Sequence, residues 1–202
     1  MRSRKKIIFF FYFIANCLFF SCEETNQELI DQGLKFQTAG KYNEAILKFT
    51  KVANRNNKLQ LAYYNRGICY LNLKNYANAL YNFNHILSQQ TYDGYILTFN
   101  ANSPIANEEA KMQVPYNDVL FQKAQAEFFI DSLRDAFNDF KTLINNNYKE
   151  KVFCIIYQGD IAHQFGDEKT SCSFMHKARE LATTKKEINE ADSMIKAACT
   201  EQ

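Results

Sequence analysis

The chain has 202 residues, 47% of them hydrophobic and 15% aromatic, with 24 Lys and Arg against 22 Asp and Glu. That length suits one domain with a continuous core, and the near balance of charge excludes the basic, phosphate-seeking surface that nucleic-acid binding needs. Only six Gly and two Pro occur, which favours helices joined by short turns.

Residues 1–21 read as an export signal. Arg2, Arg4, Lys5 and Lys6 precede an apolar run from Ile7 to Phe20, broken by Asn16, that ends at Ser21-Cys22. The basic start and short apolar core suit a cleaved signal better than a span, which needs roughly 20 apolar residues. The Ser21-Cys22 junction resembles a bacterial lipobox, although Phe19 stands where lipoboxes favour Leu. The resemblance implies that Cys22 is lipidated and becomes the N-terminus, with residues 22–27 a short tether. An ordinary cleaved signal, leaving Cys22 an idle thiol, is the competing reading. Removing the leader takes four basic residues and leaves 20 against 22, so the remainder carries −2 and the pI of about 8.1 belongs to the leader.

From residue 28 to 202 the chain reads as one repeat domain. The first repeat runs from Asn26 to Leu59 and the second from Gln60 to Gln90. Gly33 and Gly67 stand 34 positions apart, and the same offset carries Phe36 onto Tyr70, Tyr42 onto Tyr76, Ala45 onto Ala79 and Phe49 onto Phe83. Each copy predicts two amphipathic helices, the first crossed closely at its Gly, the second carrying Ala and Phe one turn apart. The period fails over 91–116, an insertion holding Gly94, Pro104 and Pro115, where Tyr95 to Phe99 is β-prone. A third repeat resumes near Asn117 with Ala124 in the Gly place and Ala136 and Phe140 restoring the pair. A fourth, looser repeat from Val152 has Gly159, with Ser171 and Met175 replacing the pair. Ile188, Ala191, Ile195 and Ala198 then form the single apolar stripe of a capping helix.

These residues resemble the tetratricopeptide-repeat (TPR) family. The resemblance implies an all-α, right-handed superhelix of about four helix-turn-helix repeats with a C-terminal capping helix, and a scaffold that binds peptides or proteins. In that family the partner lies on the concave face of the first helices. The register places Ile30, Leu34, Tyr64, Ile68, Leu71, Phe121, Gln125, Phe128, Ile156 and Asp160 there, a mostly apolar set that suits an amphipathic helix or extended hydrophobic segment. The Lys, Arg and Asn of a carboxylate clamp are missing from that register. The competing reading is a closed groove, filled by these side chains packed on each other or by the insertion at 91–116.

Catalytic chemistry is not expected. The His residues are His85, His163 and His176, none read as paired at helical metal-ligand spacing with another His or Cys, and Asp160 with His163 reads as a solvated pair. There is no Gly-rich phosphate loop, no Cys-x-x-Cys and no His-Glu-x-x-His, so no cofactor and no metal are expected. Glu23-Glu24 and Glu108-Glu109 read as solvated. Cys172 lies on the face of its helix turned to the cap and Cys199 at the cap's far end, so the two are expected to form a disulfide in an oxidising compartment. Cys69 and Cys154 are expected to be free, buried thiols. The sequence therefore reads as a non-enzymatic, membrane-anchored adaptor for a protein partner in the bacterial envelope, at the outer membrane, periplasmic or surface-exposed. A lipoprotein that binds carbohydrate or a small ligand is the alternative, with Tyr64, Phe121 and Phe128 stacking on sugar faces.

Overall fold

A small residue meets a large one across each helix hairpin, and this fixes how the helices cross. A Cβ on Gly33 would fall 2.5 Å from Phe49 Cε1, one on Gly67 would fall 2.6 Å from Phe83 Cε1, and one on Gly159 would fall 2.6 Å from Met175 Cε. Phe49, Phe83, Phe140 and Met175 are all fully buried, as are Ala45, Ala79, Ala136 and Ser171 one turn earlier. The 34-residue period is thus the spacing of knobs against notches.

The computed structural model describes residues 23–89 and 111–199, and every element among them is a helix. In chain order these are α1 (Asn26–Thr38), α2 (Tyr42–Arg55), α3 (Gln60–Asn72), α4 (Tyr76–Leu87), α5 (Tyr116–Phe129), α6 (Leu133–Asn145), α7 (Lys151–Gln164), α8 (Glu168–Leu181) and α9 (Lys185–Ala198). Each helix packs on the next, and α9 also touches α7. The architecture is therefore four stacked helix pairs closed by one helix. None of these helices is long and apolar enough to cross a membrane.

The turn inside each pair is the same device used four times. A residue with positive φ follows the first helix: Gly40 (72°), Lys74 (58°), Asp131 (61°) and Gly166 (76°). The next N–H then reaches back five residues, from Lys41 to Phe36 O (2.8 Å), Asn75 to Tyr70 O (2.8 Å), Ser132 to Glu127 O (2.9 Å) and Asp167 to Ala162 O (2.9 Å). These bonds satisfy carbonyls that the helix end leaves open. The second and third hairpins are also tied by a cation just before the small residue. Arg66 donates to Asn82 Oδ1 (2.8 Å) and Thr50 Oγ1 (3.2 Å), and Lys123, at the matching place, joins Glu127 and Asp139 (2.7 Å).

Both ends are secured. At the first, the expected tether is partly docked: Glu23 pairs with Arg55 (2.7 Å), and Glu24 takes Lys48 (3.3 Å), Lys51 (3.8 Å) and a hydrogen bond from Gln32 (2.8 Å). Glu24 is therefore not simply solvated, and its carboxyl lies below the usual range because Gln32 and Lys48 bond to it. Thr25 and Glu28 then form a capping box at the start of α1. At the other end Thr184 and Glu187 repeat that box on α9, and a disulfide joins Cys172 to Cys199 across α8 and α9, with Cα atoms 5.4 Å apart. Cys69 and Cys154 are free and buried.

The insertion's last residues are part of the core. Met112 and Val114 are 2% and 6% exposed. Leu61 N–H donates to Met112 O (2.8 Å) and Val114 N–H to Gln60 Oε1 (3.2 Å), so the returning chain runs beside the start of α3. The β-prone stretch from Tyr95, Glu108-Glu109, the leader and Cys22 lie outside the described residues.

Candidate partner-binding cavity

The first helices of repeats two to four and the capping helix enclose a cavity of about 570 Å³. Tyr64 comes from α3, and Asp118, Phe121, Gln122 and Gln125 come from α5. Tyr148, Lys149 and Glu150 lie in the connection to α7, which itself adds Phe153, Ile156, Tyr157 and Asp160. Lys186, Glu190 and Met194 from α9 form the remaining wall. The residues of α5 and α7 recur every three or four positions, which is why one helix face supplies them.

The aromatic rings of the lining pack on one another and on the core beside them. Tyr157 stacks on Phe140 with centroids 4.7 Å apart, while Phe121 packs against Phe140 (6.2 Å) and Tyr148 (5.5 Å). Burial pushes the Tyr64 phenol up to about 12 and raises Tyr157 too. Tyr148 is raised by burial and by its hydrogen bond to Asp118 (2.6 Å). All three are neutral phenols at physiological pH, with Tyr157 Oη accepting from Gln125 Nε2 (3.0 Å). The cavity is thus lined by uncharged phenols, of which Tyr148 already donates its proton to Asp118.

Its charges are unequal. Asp118 is paired with Lys149 (2.8 Å), whose ammonium also lies 5.6 Å from the Tyr148 ring centre, and Lys186 sits 4.9 Å from that of Phe153. Glu150, Asp160 and Glu190 make no ion pair among the described residues. Lined by four carboxylates and two ammonium groups, the cavity favours a cationic or hydroxyl-rich occupant over an anionic one.

Of the residues placed here by register, Tyr64, Phe121, Gln125, Ile156 and Asp160 line the cavity. The other five do not. Ile30 is 1% exposed and lies with Met112 in the first repeat's core, beyond the reach of a partner, and Leu34 packs on the edge of the same cluster. Ile68 and Leu71 pack on the second repeat's core, and Phe128 is used against Tyr157 (5.1 Å) and Phe129 (5.4 Å). The lining is also more polar than the mostly apolar groove expected. The register misses these charges because it takes the capping helix only for its buried stripe. A second row at four-residue spacing, Lys186, Glu190 and Met194, is legible beside it.

None of the His residues lines this cavity. His85 stacks on Tyr63 (3.9 Å) and bonds Asn57 O (2.9 Å), while His163 bonds Glu168 (2.9 Å) rather than Asp160. His176 departs from expectation. It stands four residues after Cys172 on α8, and its ligand atom lies within 4.8 Å of the sulfurs of Cys172 and Cys199. The helical Cys-x-x-x-His spacing in the sequence is the signal that could have found it.

Stacked helix pairs of 34-residue period, with small residues crossed by large ones, constitute a TPR fold. Two solved structures with TM-scores above 0.5 share the stacked-helix fold. A structure of MamA from residue 41 onward, from Desulfovibrio magneticus RS-1, is 17% identical over 79% of this chain and 76% of that one, with a TM-score of 0.62. A crystal structure of MamA is 15% identical over 86% and 89%, with a TM-score of 0.59. A thermophilic TPR protein from Thermus thermophilus is more distant, 14% identical over 85% and 99%, with a TM-score of 0.45. No family model matches the chain, and no curated protein matches it.

Proposed function

We propose that the protein is a non-enzymatic adaptor that holds a segment of a protein partner in this cavity, tethered through a lipidated Cys22 to a membrane of the bacterial envelope. The observation that carries the reading is the cavity itself: packed aromatic rings beside Glu150, Asp160 and Glu190, lined by the first helices of repeats two to four and by the capping helix. An extended or helical segment with aliphatic and basic side chains matches it, with its cations over the rings now faced by Lys149 and Lys186. The export signal and the Ser21-Cys22 junction support the anchoring. They are tested by lipid labelling, which Cys22→Ser should abolish.

The binding test uses charge reversal, because Phe121 is only 8% exposed and its replacement would disturb the core. Asp160→Lys with Glu190→Lys should reduce recovery of a stoichiometric partner from envelope extracts at least tenfold with the unfolding midpoint unchanged. Full recovery by the folded variant would show that the cavity is not the binding face.

The six polar residues Asp118, Gln122, Gln125, Glu150, Asp160 and Glu190 beside aromatic rings also favour the second reading, a carbohydrate or small-ligand binder. Retention on glycan without any protein partner would select it.

A further inference from the structure

We propose that Cys172, His176 and Cys199 form a soft-metal site when the disulfide between the two cysteines is reduced, so that the capping helix is stapled to the fourth repeat by sulfur in one redox state and by a divalent ion in the other. Zinc is the ion this donor set suits.

The donors already converge. The two sulfurs and one imidazole nitrogen lie within 4.8 Å of one another, and once the disulfide is opened, side-chain rotations that part the sulfurs and swing the imidazole inward bring all three onto an ion with bonds of roughly 2.0–2.3 Å. Cys172 and His176 project from one face of α8, one helical turn apart, the same spacing that lets paired helical ligands share an ion. Cys199 is the C-cap of α9, held there by its N–H bond to Ile195 O (2.8 Å). The carbonyl end of that helix favours a cation. Access is open, since His176 is exposed and the cysteines are half-buried, and His176 makes no hydrogen bond or ion pair among the described residues. Two thiolates and an imidazole prefer zinc over hard oxygen-seeking cations and leave a fourth position for water or a further ligand.

The exchange balances. A dithiol reductant passes two electrons and two protons to the Cys172–Cys199 disulfide and becomes a disulfide itself. Zinc then displaces both thiol protons to solvent and binds two thiolates and neutral His176. A disulfide oxidant restores the bridge by thiol–disulfide exchange: it accepts the two electrons of the Cys172 and Cys199 thiolates, takes up two protons from solvent to leave as two thiols, and the ion is released.

The full chain carrying Cys17→Ser and Cys22→Ser is reduced with a phosphine and titrated with Co²⁺ as a spectroscopic stand-in for zinc. The expected result is a thiolate-to-cobalt charge-transfer band saturating at a single equivalent, removed by zinc and absent from the oxidised chain. His176→Ala should weaken Co²⁺ binding by about tenfold or more, a loss at least as large as outer-shell partners typically cause. Cys199→Ser should abolish the band while buried Cys69 and Cys154 remain. Absence of the band in reduced protein, loss of helical circular dichroism on reduction that zinc does not restore, or a band indifferent to His176→Ala would each overturn the proposal.

Discussion

At the scale of single residues, the fourth repeat shows what departing from the repeat pattern costs. Ser171 occupies the place of Ala45, Ala79 and Ala136 and is fully buried, yet its Oγ has no hydrogen-bond partner among the described residues. A buried hydroxyl left unpaired costs on the order of 1–3 kcal/mol. Ser171→Ala should therefore raise the free energy of unfolding by about 1 kcal/mol, read by urea denaturation; a destabilised variant would mean that the hydroxyl is satisfied. Met175 raises no such problem. Its flexible thioether lies across Gly159 as Phe49 lies across Gly33, so the notch is filled by a different shape. Substitutions of this kind are legible in the sequence as positions, because the period marks them. Their partners are not, because hydrogen bonding depends on neighbours outside the repeat.

At the scale of elements, α5 and α6 are joined by buried charge. Lys123 pairs with Glu127 on its own helix and with Asp139 across the hairpin. Burial pushes the Glu127 carboxyl up to about 7, against the pull of Lys123. The folded protein thus holds this proton more tightly than the unfolded chain, whose glutamate titrates near ~4.3. The resulting stabilisation is complete below that lower value and is lost as pH rises through about 7. Glu187 acts in the opposite sense. Its carboxyl is lowered by the N–H groups of Thr184 and Thr183, so its contribution is present at neutral pH and lost in acid. Glu127→Gln should remove the decline in unfolding free energy between about pH 4.5 and 7; an unaltered slope would assign that decline to other groups. The disulfide acts on α8 and α9 with a sequence separation of 27 residues. Cys172→Ser should cost about 3.5 kcal/mol on the chain-entropy view, and calorimetry on the variant checks it. This pairing is readable from the sequence because two antiparallel helices bring a residue near one start level with one at the other's end.

At the scale of the molecule, the helix order and the closing helix are legible from periodicity, and so are the turns marked by Gly40 and Gly166, whereas Lys74 and Asp131 take the same positive φ with no glycine to mark it. The cavity is only half legible. A single register of first-helix residues identifies Tyr64, Phe121, Gln125, Ile156 and Asp160. The alternative that the insertion fills the groove holds at the first repeat, where Met112 joins the core, but the register does not foresee that α9 walls the far side. Those features come from chain segments outside the period. The returning segment also sets the order in which the stack can be completed. Contacts between successive helices let each hairpin form as soon as its own residues are available, the low-contact-order route to fast folding. Gln60, however, receives its bond from Val114, 54 positions later, and the core around Leu29 and Phe49 closes only with Met112. The first repeat is thus synthesised early and finished late. Met112→Ala should leave the amide protection of repeats three and four unchanged and slow that of α1 in pulsed hydrogen exchange, because the oldest part of the nascent chain waits for a segment made only after both helices of the second repeat.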